Sequence, residues 1–305
     1  DLSEQYDLRR GGNWPETGNT AHKAIFAGGA FNNAANNAIS IITMNSAGDG
    51  SDFGDLGTGR YKPACAASST RALIAAGYTG SSRTDVIEYI TFATLGNGSD
   101  FGDVTGARGN GMGSCSSSTR GVFTGGETSS PTNIMDYVTI DTTGNATDFG
   151  DLTAVRNNIM GGCSNGTRGI TSVGGYTGSA AVNIIDYITI ASTGDATDFG
   201  DTLTAQFQYG AASNSTRGLM TKGLVIEYIT ISSTGNSTDF GDGLTNRGDC
   251  VTAASPTNYL IGGSGANNTN LAFVVISTLG NAVDFGDLPA TAQSTGAISD
   301  CHGGL

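Results

Sequence analysis

Positive charge is what this sequence most lacks. Only 14 of its 305 residues are Lys or Arg, against 27 Asp and Glu, and the net charge is -13. Phosphate neutralisation needs clustered cations, so a general nucleic-acid binder is excluded. Histidine is rarer still, with His22 and His302 both near the chain ends. No Ser-His-Asp set and no metal-ligand spacing accompanies them, so hydrolysis, a metal centre and a cofactor all lack a motif. No apolar run reaches 18 residues, and no segment reads as a membrane-spanning helix. Residue 1 is Asp and no signal-like segment follows, so the chain reads as a processed product or an ordered part of something longer, which leaves its compartment open.

What the chain has in abundance is glycine, 48 residues of it, and one tetrapeptide. Asp-Phe-Gly-Asp occurs six times, beginning at Asp52, Asp100, Asp148, Asp198, Asp239 and Asp284, with spacings of 48, 48, 50, 41 and 45 residues. That is the period of propeller blades or repeat arrays. Twelve of the 27 acids lie in these copies, so the acidity is partly a by-product of the repeat. Asp-Phe-Gly is also a kinase signature, but the phosphate loop, strand Lys and His-Arg-Asp that must accompany it are absent. Calcium binding would need more oxygen ligands than two carboxylates around a Phe-Gly spacer. The remaining reading makes Phe a filler between blades, with the flanking carboxylates accepting turn amides.

Residues 104–151 show one unit clearly. Val104 to Ser114 read as a crowded inner strand, and Thr119 to Thr124 as a second strand ended by Gly125-Gly126. Ile134 to Ile140 form a third strand, rich in β-branched and aromatic residues, and Ala146 to Gly150 the outermost. Before the first tetrapeptide the chain supplies a second strand, Ala24 to Ala27, but no first one. Leu288 to Cys301 looks like the missing piece. The expectation is an all-β, six-bladed β-propeller with four-stranded blades, closed by N- and C-terminal strands sharing one blade. Its blades are 288–305 with 19–55, then 56–103, 104–151, 152–201, 202–242 and 243–287. Residues 1–18 match no blade and read as an arm, with Trp14, the only Trp, as a partner anchor and a route to homo-oligomers. Blade five lacks the Gly-Gly loop, because Met220 to Leu224 run almost directly into Val225 to Tyr228.

Three thiols, Cys65, Cys115 and Cys163, precede Thr-Arg pairs by four or five residues, with Ala212 in the same slot of blade five. A position that accepts Cys or Ala is a small buried site, so these thiols read as structural. Arg71, Arg120, Arg168 and Arg217 occur in the blades that carry Glu88, Asp136, Asp186 and Glu227, whereas the blades with Ser40 and Ala272 lack both, a pattern expected of cross-strand ion pairs. A second series, Arg60, Arg108, Arg156 and Arg247, has Gln206 and Ala292 in the other blades. These guanidiniums either ring a channel mouth and take anionic sugars or carboxylates, or pair with neighbouring acids. Tyr78 and Tyr176, each in a Tyr-Thr-Gly-Ser turn, are candidates for stacking on sugars.

Gly125-Gly126 with Tyr137, and Gly174-Gly175 with Tyr187, resemble the kelch family of propellers. That family places a Trp soon after the Tyr, whereas here Phe149 and Phe199 stand twelve residues beyond it, so the fold carries over and kelch functions do not. From about residue 20 to 305, the repeats also resemble those of predicted tail and appendage proteins of bacteriophages, notably of marine cyanobacteria. Asp186 to Ile190 and Thr193 to Asp201 carry the likeness, with Asp195 in place of Asn. For function the resemblance implies a virion component, and the leading expectation is a non-enzymatic appendage or decoration protein that binds the host surface, its glycans or another virion protein. A secreted carbohydrate-binding propeller of bacterial origin is the alternative, and a propeller hydrolase a third.

Overall fold

Short stretches of Ile, Val, Thr and Tyr between Gly-rich turns satisfy their backbone groups by pairing with one another, and among the described residues every element is a β-strand. The computed structural model describes residues 22–31, 34–263, 269–289 and 293–301. Antiparallel sheets stand in a ring as the six blades of a β-propeller. Blade one is built from both ends of the chain. Gly296–Ser299 is its inner strand, followed outward by Lys23–Ala27, Ala38–Thr43 and Ser51–Asp55. The closing register runs from Ala24 opposite Ser299 to Ala27 opposite Gly296, as the unpaired second strand at the N-terminal end requires.

Blade two comprises Ala64–Ala67, Arg71–Ala75, Thr84–Thr91 and Ser99–Arg108. Blade three comprises Gly113–Ser116, Arg120–Thr124, Thr132–Thr139 and Thr147–Arg156. Cys163–Ser164, Arg168–Tyr176, Ala181–Thr189 and Thr197–Asp201 make blade four. Val251–Ala254, Asn258–Gly262, Asn270–Val275 and Val283–Asp287 make blade six. Three boundaries differ from the sequence reading: Val104 to Arg108, Leu152 to Arg156 and Gly243 to Arg247 prolong the outer strands of blades two, three and five, and the inner strand of blade three begins only at Gly113.

In blade five, Gly210–Ser213 and Thr238–Arg247 flank a single element, Arg217–Thr230, that does the work of two strands. It turns back at Gly223, whose φ is 66°, and this brings the Arg217 guanidinium to 4.5 Å from the Tyr228 ring. The missing Gly-Gly loop thus becomes a tight hairpin.

Apolar residues fill the spaces between blades. Ile25, Ile39 and Phe53 of blade one pack with Ala67, Ile74 and Ile90 of blade two, and the pattern repeats around the ring. Each tetrapeptide Phe is buried, and in five blades it meets an aromatic ring of the third strand edge-on, as Phe149 meets Tyr137 at 5.9 Å. All five thiols are free and buried. Cys115 and Cys163 occupy space left by Gly169 and Gly218 of the next blade. Cys65 lies one residue out of that register: it pairs with Ile74 and faces Gly296, and Ala66 takes the equivalent slot.

Two rings of hydrogen bonds tie each blade to the next. In the first, Gly144 N donates to Phe101 O and Ala146 N to Asp103 O, both at 2.7 Å, while Asp103 N donates to Asn145 Oδ1 at 3.1 Å. Equivalent bonds recur at all six junctions, blade six to blade one included, and Asp195 and Asp49 replace Asn as the side-chain acceptor in two of them. The tetrapeptides therefore fasten blades, but through main-chain groups. The first Asp of every copy is exposed, not bonded to turn amides as expected.

The second ring uses the residue that opens each second strand. Arg71, Arg120, Arg168 and Arg217 donate to the carbonyls of Ile140, Ile190, Ile231 and Ile276 on the following blade, at 2.7 to 3.0 Å. Lys23 and Asn258 do the same toward Phe92 and Met44. These four arginines do not pair with Glu88, Asp136, Asp186 and Glu227. Instead they lie 4.3 to 4.5 Å over Tyr89, Tyr137, Tyr187 and Tyr228. The blades with Ser40 and Ala272 carry neither this Arg nor this Tyr, with Ile41 and Phe273 at the Tyr position.

Candidate functional site

Arg60, Arg108, Arg156 and Arg247 are at most 1% exposed and do not ring a channel mouth. Three of them take the acids that the first Arg series was expected to hold. Arg108 pairs with Asp136 and donates to Ile134 O at 2.9 Å; Arg156 pairs with Asp186 and donates to Ile184 O at 3.0 Å; Arg60 pairs with Glu88. Asp136 also accepts from the Thr105 hydroxyl at 2.6 Å, so the buried carboxylate is well satisfied. Arg247 donates to Gly263 O and to Asn270 Oδ1. Blade five, with Gln206 in the Arg position, leaves Glu227 to accept from the Tyr209 hydroxyl at 3.1 Å and from Leu203 N at 2.9 Å.

The open mouth belongs to the residue two places after each of these positions. Lys62, Asn110, Asn158, Gln208, Asp249 and Ser294 stand where the chain enters each inner strand. Five have left-handed backbones, with φ of 54°, 55°, 51°, 65° and 57° for Lys62, Asn110, Asn158, Gln208 and Ser294. Asn adopts this conformation readily, whereas for Lys, Gln and Ser it costs on the order of 1 kcal/mol or more. Bonds between blades hold it: Lys62 N to Ser294 O at 2.7 Å, Asn158 N to Asn110 O at 2.6 Å and Gln208 N to Asn158 O at 2.7 Å.

Side chains meet above this ring. Lys62 Nζ reaches from blade two to Asn158 Oδ1 on blade four at 2.9 Å, and Ser294 Oγ donates to Asp249. Burial lowers the Lys62 ammonium below its usual range, while Asp249 and Glu127 pull it back and Lys222 adds to the lowering. Glu127, half-buried in the blade-three loop, pairs with Arg83 and accepts from the side-chain amides of Asn110 at 2.9 Å and Asn157 at 2.5 Å. Burial alone would raise its carboxyl, but those three partners carry it below the ordinary range.

Aromatic pairs stand on both sides of this polar cluster. Tyr78 lies 5.2 Å from Tyr61, and Tyr176 lies 6.0 Å from Phe207. All four rings are half-buried. Tyr78, Glu127 and Tyr176 are equivalent positions, each bridged through main-chain bonds to the residue before the ring position, namely Tyr61, Gly109 and Asn157. Lys222, in the shortened hairpin of blade five, sits 5.4 Å over Phe207 and donates to Gly248 O.

Beneath the mouth the channel is lined by small inner-strand residues such as Ser114, Ser116, Ser164, Ser213 and Ser299, and encloses about 60 Å³. That admits a few water molecules but falls far below the roughly 300 Å³ of a small-molecule pocket. The channel is therefore too small to enclose a sizeable ligand.

Of the residues singled out in the sequence, Tyr78 and Tyr176 reach this surface and the buried Arg series does not. Trp14 and the 1–18 arm, Ala292 and His302 lie outside the described residues. Lys62, Asn110, Asn158, Gln208, Asp249, Tyr61 and Phe207 went unrecognised, although a polar residue two places after every position of the Arg series was a visible signal. No family model matches the chain, and no curated protein matches it.

Proposed function

We propose that the protein is a non-enzymatic, glycan-binding component of a phage particle, and that the mouth of the propeller is its docking surface. The observation that carries the binding role is the pairing of two aromatic couples with a fixed hydrogen-bonding cluster over a channel too narrow for a ligand. Sugars present alternating apolar faces and hydroxyl edges, which suit rings such as Tyr78 and Tyr176 beside Asn110, Glu127 and Lys62. Prior pairing of the cluster keeps its side chains positioned and reduces the ordering cost of binding. The likeness of the repeats to phage appendage proteins supports the virion setting, and the same mouth serves the alternative of a secreted lectin-like propeller.

Retention of the full chain on an array of bacterial surface glycans tests the binding role. Tyr78→Ala and Tyr176→Ala are each expected to weaken retention at least tenfold without lowering the melting temperature, a loss of about 1.4 kcal/mol or more. Full retention by both variants would remove the mouth from consideration. Mass spectrometry of purified particles tests the setting: the chain is expected among the virion proteins, and glycan retention without it there would select the secreted reading. Turnover of a polysaccharide by the protein would overturn the non-enzymatic assignment.

A further inference from the structure

On the face opposite the mouth, the two ends of blade one bring three unlike donors together. His22 precedes the second strand, and Asp300 and Cys301 follow the inner strand. Cys301 Sγ lies 2.7 Å from His22 Nδ1 and 3.2 Å from Asp300 Oδ1, and His22 Nδ1 lies 3.6 Å from that same oxygen. Among the described residues this is the one group of three potential metal ligands whose atoms all fall within 4.8 Å of one another. Main-chain bonds hold the seam in place, since Met44 N donates to His22 O at 2.8 Å and Asp300 N to Lys23 O at 3.0 Å.

The arrangement of atoms distinguishes two kinds of chemistry. In a nucleophilic triad the imidazole bridges, with one nitrogen toward the thiol and the other toward the carboxylate. Here sulfur, oxygen and Nδ1 converge on one another, and the carboxylate approaches the same nitrogen as the thiol. Convergence is the geometry of ligation. Tetrahedral zinc with ordinary bond lengths sets such donors about 3.4 to 3.6 Å apart. The His22–Asp300 separation already matches, and small side-chain rotations of Cys301 and His22 open the sulfur contacts.

We propose that His22, Asp300 and Cys301 form a binding site for a divalent transition metal of borderline softness, with zinc as the fitting ion. The mixed nitrogen, sulfur and carboxylate set selects that class over calcium or magnesium, which take oxygen ligands. Binding displaces the thiol proton, because the ligating form is the thiolate. The ion joins residues 279 positions apart at the blade that closes the ring, so its effect is to fasten the seam.

The untagged full chain, freed of metal by chelation and dialysed against zinc, is expected to retain one zinc per molecule and to melt at a higher temperature than the metal-free protein. Replacement with cobalt is expected to give a thiolate-to-metal charge-transfer band that Cys301→Ser removes. His22→Ala, at a partly exposed position that the fold tolerates, is expected to weaken zinc binding at least tenfold and to abolish the melting shift. Zinc retention below one-tenth of stoichiometry, or binding unchanged in both His22→Ala and Cys301→Ser, would overturn the site.

Discussion

At the scale of single residues, two arginine series with similar surroundings have opposite duties, and strand parity decides which is which. Arg71 shares a sheet face with Leu73, which stands opposite Tyr89, whereas Glu88 stands opposite Ile74 on the other face. Matched loss of Arg and acid across the blades was legible in the sequence; the true correlate, Tyr89 and its equivalents, was one residue away, and counting by twos selects it. The buried pairs lead to a sharp expectation. Desolvating both charges offsets much of their attraction, so such a pair adds little over an apolar pair of similar volume, but removing one partner strands the other charge. Burial raises the Asp186 carboxyl even beside Arg156, consistent with that cost. Asp136→Ala is therefore expected to destabilise blade three by about 3–5 kcal/mol, while Arg108→Met combined with Asp136→Leu restores most of the loss. Urea unfolding of the two variants provides the check, and equal midpoints would contradict this account of the pair.

At the scale of elements, the tetrapeptide works through its backbone. Gly150 has a φ of 141°, and a Cβ there would come 2.5 Å from the Gly194 carbonyl carbon on the next blade. Neither atom belongs to a flexible side chain, so the contact can be relieved only by separating the blades. Gly150→Ala is expected to cost about 1–3 kcal/mol through its backbone conformation alone, with the steric contact adding to it. Asp148→Ala, in the same tetrapeptide but at an exposed carboxylate, should stay within about 0.5 kcal/mol of the parent. Guanidinium unfolding midpoints compare the two, and equal effects would return the fastening role to the carboxylates. The sequence made the repeat and most strands legible, because β-branched runs between glycines have few other solutions. The extension from Val104 to Arg108 was not legible, since its mixed composition reads equally well as an outer or an inner strand.

At the scale of the molecule, closure is the property on which the others depend. The mouth ring exists only when six equivalent positions face one axis, so the polar residue two places after each position of the Arg series, Lys62, Asp249 and Ser294 included, becomes a site only once the repeats are superposed. Ring closure itself was legible, because an unpaired second strand at one end and an unpaired inner strand at the other have one mutual solution. Removing residues 288–305 takes away Gly296–Ser299 and exposes the Lys23–Ala27 edge. It also removes the bond from Ser299 Oγ to Ala254 O that joins blades one and six. The truncated chain is expected to melt about 10 °C or more below the parent, the drop that a loss of several kcal/mol produces at roughly 2–4 °C per kcal/mol. Exposed strand edges should also draw copies together, which size-exclusion chromatography would detect as a shift to larger species. Both measurements belong in excess chelator, because the deletion also removes Asp300 and Cys301 and any metal they hold. A truncated protein that melts with the parent under those conditions would show that the terminal strand is dispensable and that five continuous blades stand without closure.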